Sequence, residues 1–274
     1  MSKAQLNNKF PAYLSQRALG FIYALTACAL FSLKPVLIKL AYLYGGSATS
    51  IMALRAFCSL PIYVVTLILI LRSAQSRAVT KRYGLLAICI GILGYYLASL
   101  LDILSLQDIS AQLERLLLFL YPTIVVFIVW GITKQRPNNK TLVSALVGYI
   151  GVAIIFLNDF QHGGEKVLVG SSLVLASAIA FAFYVVLSKT IIIKMGSSLF
   201  TSIAMASAGV VILVQLIATE DSVSNWGLPL IFVGIVLGLV CTVIPSYLMS
   251  AALALLSPCL LIRSPLRMLG HFWQ

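Results

Sequence analysis

The sequence predicts an all-α integral membrane protein built from two inverted repeats of five helices, with the last one or two helices missing or altered. Three observations lead there. Hydrophobic residues make up 61% of the 274, charged residues only 9%, and mean hydropathy is +1.05, values that no water-soluble globule of this length sustains. The apolar residues fall in long continuous runs, and a helix needs about 20 of them to cross about 30 Å of hydrocarbon. Finally, a shift of 150 lays Gly20, Phe31, Lys39, Gly46 and Ser47 onto Gly170, Phe181, Lys189, Gly196 and Ser197, while Tyr96-Leu97-Ala98-Ser99 meets Tyr247-Leu248-Met249-Ser250 at 151. A duplication over many apolar segments is the usual construction of a secondary transporter, with the substrate between the halves.

The first run, 18–42, follows Lys3, Lys9 and Arg17, a flank that superficially resembles a signal peptide. It is too long for one, continues through Lys34-Pro35 and offers no small-x-small cleavage site, so it reads as a retained helix. Runs 49–71, 84–106, 112–133 and 141–157 complete the first half; 168–189, 197–218 and 227–248 begin the second. Barrel strands would be about 10 residues of alternating pattern, which these are not.

Basic residues set the orientation. Lys3, Lys9 and Arg17, then Arg72, Arg77, Lys81 and Arg82, then Lys134, Arg136 and Lys140, then Lys194, fall on alternate connections, which places them and the N-terminus in the cytoplasm of a multi-pass inner-membrane protein. The intervening connections hold Gly45-Gly46, Asp108, the Asp159–Glu165 turn with His162, and Glu220-Asp221. The net charge of +12 is thereby a topology signal; it forms no concentrated stripe for nucleic acid.

Five crossings per repeat invert the second copy, which divides the chain into 1–157 and an incomplete 158–274. Helix one pairs with helix six and helix three with helix eight, and a full second repeat at this offset asks for about 308 residues. From Trp226 to Ile262 the chain is apolar for 37 residues, about 55 Å as helix, and Arg263, Pro265, Arg267 and His271 follow. A truncated or frame-altered end beginning near Cys259 is the expectation, against a natural short form with a re-entrant last segment.

Leu113-Glu114-Arg115-Leu116 followed by Leu120-Tyr121-Pro122-Thr123, and Ile244-Pro245-Ser246-Tyr247-Leu248 with Ala251-Ala252-Leu253, resemble motifs of the drug/metabolite transporter superfamily, in particular its EamA-type members. The resemblance runs to about Ser257 and implies a ten-helix fold and export of a small organic metabolite, such as an amino acid or related compound, by alternating access.

A charge in hydrocarbon costs about 2.5 to 3.5 kcal/mol on insertion scales and usually faces a cavity or a partner. Lys34 lies inside helix one beside Pro35, which removes a backbone hydrogen bond and bends the helix; a lysine snorkelling to the interface is the other reading. Arg55, Asp102, Glu114 and Arg115 fall toward the same outer half, either as a structural salt-bridge cluster or as an outer gate for a zwitterion. Tyr96, Tyr121, Tyr184 and Tyr247 suit a pocket for an organic molecule, Tyr96 and Tyr247 being equivalent in the repeat. Pro122 and Pro245 are further kink sites. Gly91 with Gly94, Gly148 with Gly151, and Gly234 with Gly238 allow close helix approach.

Cys28, Cys58, Cys89, Cys241 and Cys259 lack metal-ligand spacing and read as buried thiols. His162 and His271 are the only histidines, and there is no Walker A lysine motif, so neither an enzyme nor a direct ATP pump is expected, and no cofactor or metal. The partners expected are a small-molecule substrate and the lipid bilayer, with a proton on Asp102 or Glu114 as candidate coupling ion and a homodimer open. An inactive remnant, or a non-transporting regulatory or structural subunit, are the alternative functions.

Overall fold

Continuous apolar runs satisfy their backbone only as helices in a membrane, and helices are what form. The computed structural model describes residues 9–134, 136–137, 139–219 and 226–260, with no strand among them. The helices are α1 (Lys9–Ser32), α2 (Lys34–Leu43), α3 (Ala48–Ile70), α4 (Ala74–Gly91), α5 (Ala98–Ser105), α6 (Ala111–Leu118), α7 (Tyr121–Thr133), α8 (Asn139–Gly163), α9 (Glu165–Met195), α10 (Ser197–Ala218), α11 (Leu228–Gly238) and α12 (Ile244–Leu260). Among the described residues seven spans are long and apolar enough to cross a membrane, and Ala145–Gln161 within α8 is a shorter apolar stretch.

Several crossings are broken, and the breaks have local causes. Pro35 and Pro122 sit in the first turns of α2 and α7, where a missing N–H is tolerated, and so separate those helices from α1 and α6. A π turn at Ile92–Leu97 joins α4 to α5, and another at Leu239–Val243 joins α11 to α12 just before Pro245. The wider turn at Leu239–Val243 is matched by Thr242, whose hydroxyl donates to the Leu237 carbonyl five residues back at 2.8 Å. The first π turn runs into the Tyr96–Ser99 segment that the internal repeat aligns with Tyr247–Ser250, and the second ends four residues before Tyr247.

Caps fix other ends. Ser47 and Ser50 form a reciprocal capping box at α3, with N···Oγ distances of 3.0 and 2.8 Å. Ser110 caps α6 by accepting from the Leu113 amide and donates to Asp159 at 2.6 Å, which docks the end of α8 there. Asp159 thus stands on a helix that runs to Gly163, and the turn expected at 159–165 narrows to Gly164, whose φ of +58° only glycine adopts readily.

The bundle packs α3 between α10 and α11, lays α9 across α4 to α7, and runs α12 along α1. One apolar cluster joins Ile38, Ile51, Met52, Ile103 and Leu237 toward the Gly46 end, and a second joins Ala87, Ile90, Phe200 and Ala204 at the other. Gly91 presses on Ala204 and Gly94 on the Tyr184 ring, while Gly234 meets Leu54 and Gly238 meets Cys58; a methyl group would collide at each. Gly148 and Gly151 face open space, contrary to the expectation of close approach, because α8 directs Leu146, Val147, Ile150 and Ile154 outward. Cys28 and Cys89 are likewise on outward faces rather than buried. The third span begins at Ala74, so Arg77, Lys81 and Arg82 lie on a helical lead and not in a loop. Residues 261–274, including Arg263, Pro265, Arg267 and His271, lie outside the described residues.

Candidate functional site: a buried charge cluster above a tyrosine layer

The break in the first span places Lys34 at the start of α2, and its ammonium reaches Asp102 Oδ2 on α5 at 2.6 Å. Asp102 has a side-chain exposure of only 4%, against 16% for Lys34, so the pair is largely withdrawn from solvent. The geometry replaces the snorkelling alternative with an ion pair.

Pro35 has a second consequence. Lacking an N–H, it leaves the Phe31 carbonyl, four residues earlier, without its helical donor. Arg115 Nη2 on α6 takes that carbonyl at 2.5 Å. The same guanidinium turns its Nε toward Glu114 Oε2 at 3.7 Å. Glu114 is fully buried, and neither of its carboxylate oxygens nor Asp102 Oδ1 has a geometrically defined hydrogen bond among the described residues. The two carboxyl groups are close enough to act on each other. Two buried like charges at such range are costly unless cations or a shared proton offset them.

Arg55 on α3 is also buried, and Asp102 and Tyr63 are the charged or ionisable groups that act on it. Tyr63 begins the next layer. Its hydroxyl meets Ser246 Oγ at 2.7 Å, its ring lies 5.5 Å from that of Tyr247, and the Tyr247 hydroxyl meets Ser202 Oγ at 3.2 Å. Beside them Tyr95 and Tyr184 join hydroxyls at 2.8 Å, and Tyr184 continues through Phe181 to Tyr121, with ring separations of 5.5 and 5.0 Å.

Of the residues the sequence singled out, Lys34, Asp102, Glu114, Arg115 and Arg55 come together, and Tyr247, Tyr184 and Tyr121 fall in the ring layer. Tyr96 does not: it packs on the cluster of Ile38 and Ile103, and its neighbour Tyr95 takes the place in the layer. The π turn across Ile92–Leu97 explains the exchange, because one residue more per turn rotates the following side chains by about 100°. Tyr63, which reading by repeat equivalence missed, carries no local signal beyond its place eight residues after Arg55 on the same helix. A separate groove of about 260 Å³ between α2 and α11 is lined by Leu37, Leu40, Phe232 and Val236; it is apolar and away from the charges.

Broken helices that carry buried charge and free backbone carbonyls into a bundle of membrane spans are the arrangement of transporters. Residues 18–157 match the EamA-like transporter family, which is half of the chain. The chain belongs to that family. It is thereby an EamA-type member of the drug/metabolite transporter superfamily, a multi-pass membrane transporter. The chain is also similar to a protein of Bacillus subtilis (strain 168) named "Uncharacterized transporter YcbK", with 26% identity over 247 residues that cover 86% of this chain and 77% of that one. No solved structure matches the chain significantly. In this EamA-like transporter the Leu-Glu-Arg-Leu motif puts Arg115 at the break in the first span, where it donates to the Phe31 carbonyl, with Glu114 Oε2 3.7 Å from the same guanidinium.

Proposed function

We propose that this EamA-like transporter exports a small organic metabolite, such as an amino acid or related compound, by alternating access between two inverted repeats, 1–157 and 158–274. The observation that carries the reading is the buried cluster of Lys34, Asp102, Glu114 and Arg115 at the Pro35 break, set directly above rings suited to an organic body. Charges at that depth are retained at a cost in insertion and folding, which a binding or gating role explains. Lys34, Tyr121, Tyr184 and Tyr247 are the substrate-contacting residues on this reading, with Tyr95 in place of Tyr96; Arg55, Asp102, Glu114 and Arg115 form the gate, and Pro35, Pro122 and Pro245 the flexible breaks. Proton coupling would run through Asp102 or Glu114. The N-terminus is cytoplasmic and the membrane is the inner membrane of a bacterial cell.

The test is metabolite release. Bacterial cells expressing the full chain, or its Asp102→Asn variant at equal membrane level, are compared by mass spectrometry of the growth medium. A several-fold rise of one or a few organic metabolites with the wild type alone is expected. Identical media from both would overturn export.

A further inference from the structure

Of the ionisable groups gathered inside the spans, Lys34, Arg55 and Arg115 are basic, while Asp102 and Glu114 are acidic. Two of the bases are matched, Lys34 with Asp102 and Arg115 with Glu114. Arg55 is not. Among the described residues no carboxylate lies within 4.0 Å of its guanidinium, although the residue keeps only 8% of its exposure. The other acids near the Gly46 end are engaged elsewhere: Asp108 and Asp159 act on Lys39, and Asp159 accepts from Ser110.

The surplus of one positive charge is robust. A guanidinium keeps its proton inside a protein, Lys34 meets the Asp102 carboxylate at 2.6 Å, and protonating either acid only increases the surplus. An unpaired cation in a membrane bundle is expensive to retain, and a planar guanidinium is suited to bidentate capture of a carboxylate. Tyr63 also acts on Arg55, and its ring lies 5.5 Å from that of Tyr247, with the hydroxyls of Ser246 and Ser202 meeting those of the two tyrosines. Such a surface offers an apolar face and a few hydrogen bonds, the usual composition of a site for an organic body.

We propose that Arg55 anchors the anionic head group, carboxylate or sulfonate, of a net-anionic organic substrate whose body lies against Tyr63 and Tyr247. The proposal rests on the carrier reading above and narrows its substrate class. A zwitterion would need a second, acidic contact for its ammonium. Asp102 is committed to Lys34, and Glu114 has no exposure and already faces Arg115. In the conformation seen here Arg55 is buried, and Gly238 of α11 packs against its backbone.

Three probes that share a benzene ring and do not leak through lipid as neutral species test the assignment: benzenesulfonate, phenylalanine and benzyltrimethylammonium. The full chain in proteoliposomes, loaded with each in turn, is expected to release benzenesulfonate about tenfold faster than the others. Arg55→Gln should abolish that preference and Arg55→Lys should keep part of it, both variants being first checked for wild-type unfolding temperature. Should Arg55→Gln fail to fold, the Arg55→Lys chain and inhibition of wild-type flux by unlabelled benzenesulfonate replace it. Faster release of phenylalanine or of the quaternary amine would overturn the anion assignment while leaving the carrier reading intact. Benzenesulfonate flux indifferent to Arg55→Gln overturns it too. Release of none of the three also removes it, and the metabolite-release test above then decides the carrier reading separately.

Discussion

Arg115 and Pro35 act on one atom: the Phe31 carbonyl that the proline ring deprives of its helical donor accepts from Arg115 Nη2 at 2.5 Å. A helix break in α1–α2 is thereby closed by a side chain from α6, and the same guanidinium stands 3.7 Å from Glu114 Oε2. Arg115→Met leaves both the carbonyl and Glu114 uncompensated, and a loss of about 3 to 5 kcal/mol is expected from stranding a buried charge partner. Pro35→Ala restores an N–H at position 35. It should return about 1 kcal/mol of that loss, a coupling that a double-mutant cycle of denaturant unfolding in mild detergent reads directly. Strict additivity of the two substitutions would refute the shared-carbonyl arrangement.

The Lys34–Asp102 pair predicts an asymmetry between single and double substitutions. Lys34→Met or Asp102→Leu alone removes one member of a 2.6 Å pair and should cost about 3 to 5 kcal/mol. Together they leave no unpaired charge at this contact and should recover most of the stability, while transport stays lost. A double variant as unstable as the worse single one would show that the two residues do not compensate each other.

The spans were legible because a membrane forces long, unbroken apolar runs: the expected 49–71 and 197–218 correspond to Ala48–Ile70 and Ser197–Ala218. The helical lead from Ala74 was not, since Arg77, Lys81 and Arg82 carry the composition of a loop and only their helical hydrogen bonding distinguishes them. In the site, a charge in an apolar run is its own signal, and Lys34, Arg55, Asp102, Glu114 and Arg115 stand out for that reason. Their pairing is tertiary: Lys34 and Asp102 are 68 residues apart, and no local pattern joins them. Tyr95 shows the limit most clearly, because a π turn is a packing outcome with no sequence signature and it decides which of two adjacent tyrosines enters the ring layer.

Glycines separate into two groups by what surrounds them. A Cβ at Gly91 would lie 2.5 Å from the Ala204 Cα, in backbone that cannot swing away, so Gly91→Ala should cost about 1 to 3 kcal/mol through overpacking. Gly148→Ala and Gly151→Ala add a methyl to open space on α8 and should be neutral or raise stability by up to about 1 kcal/mol each through helix propensity. Thermal unfolding of the three variants checks the ordering. Destabilisation by Gly148→Ala would mean that α8 packs against a partner surface there.

Tyr95 and Tyr96 supply the sharpest comparison, since one covalent change at adjacent positions should have unequal effects. Tyr95→Phe breaks the 2.8 Å hydroxyl contact with Tyr184 and strands a nearly buried phenol, at a cost of about 1 to 2 kcal/mol. On the proposed function it also lowers flux several-fold by loosening Tyr184 against Phe181. Tyr96→Phe leaves the ring against Ile38 and Ile103 and should change neither quantity measurably. Parallel unfolding and transport measurements on the two variants decide between the layer set by the π turn and the one that the internal repeat alone would assign, in which Tyr96 is the residue that matters.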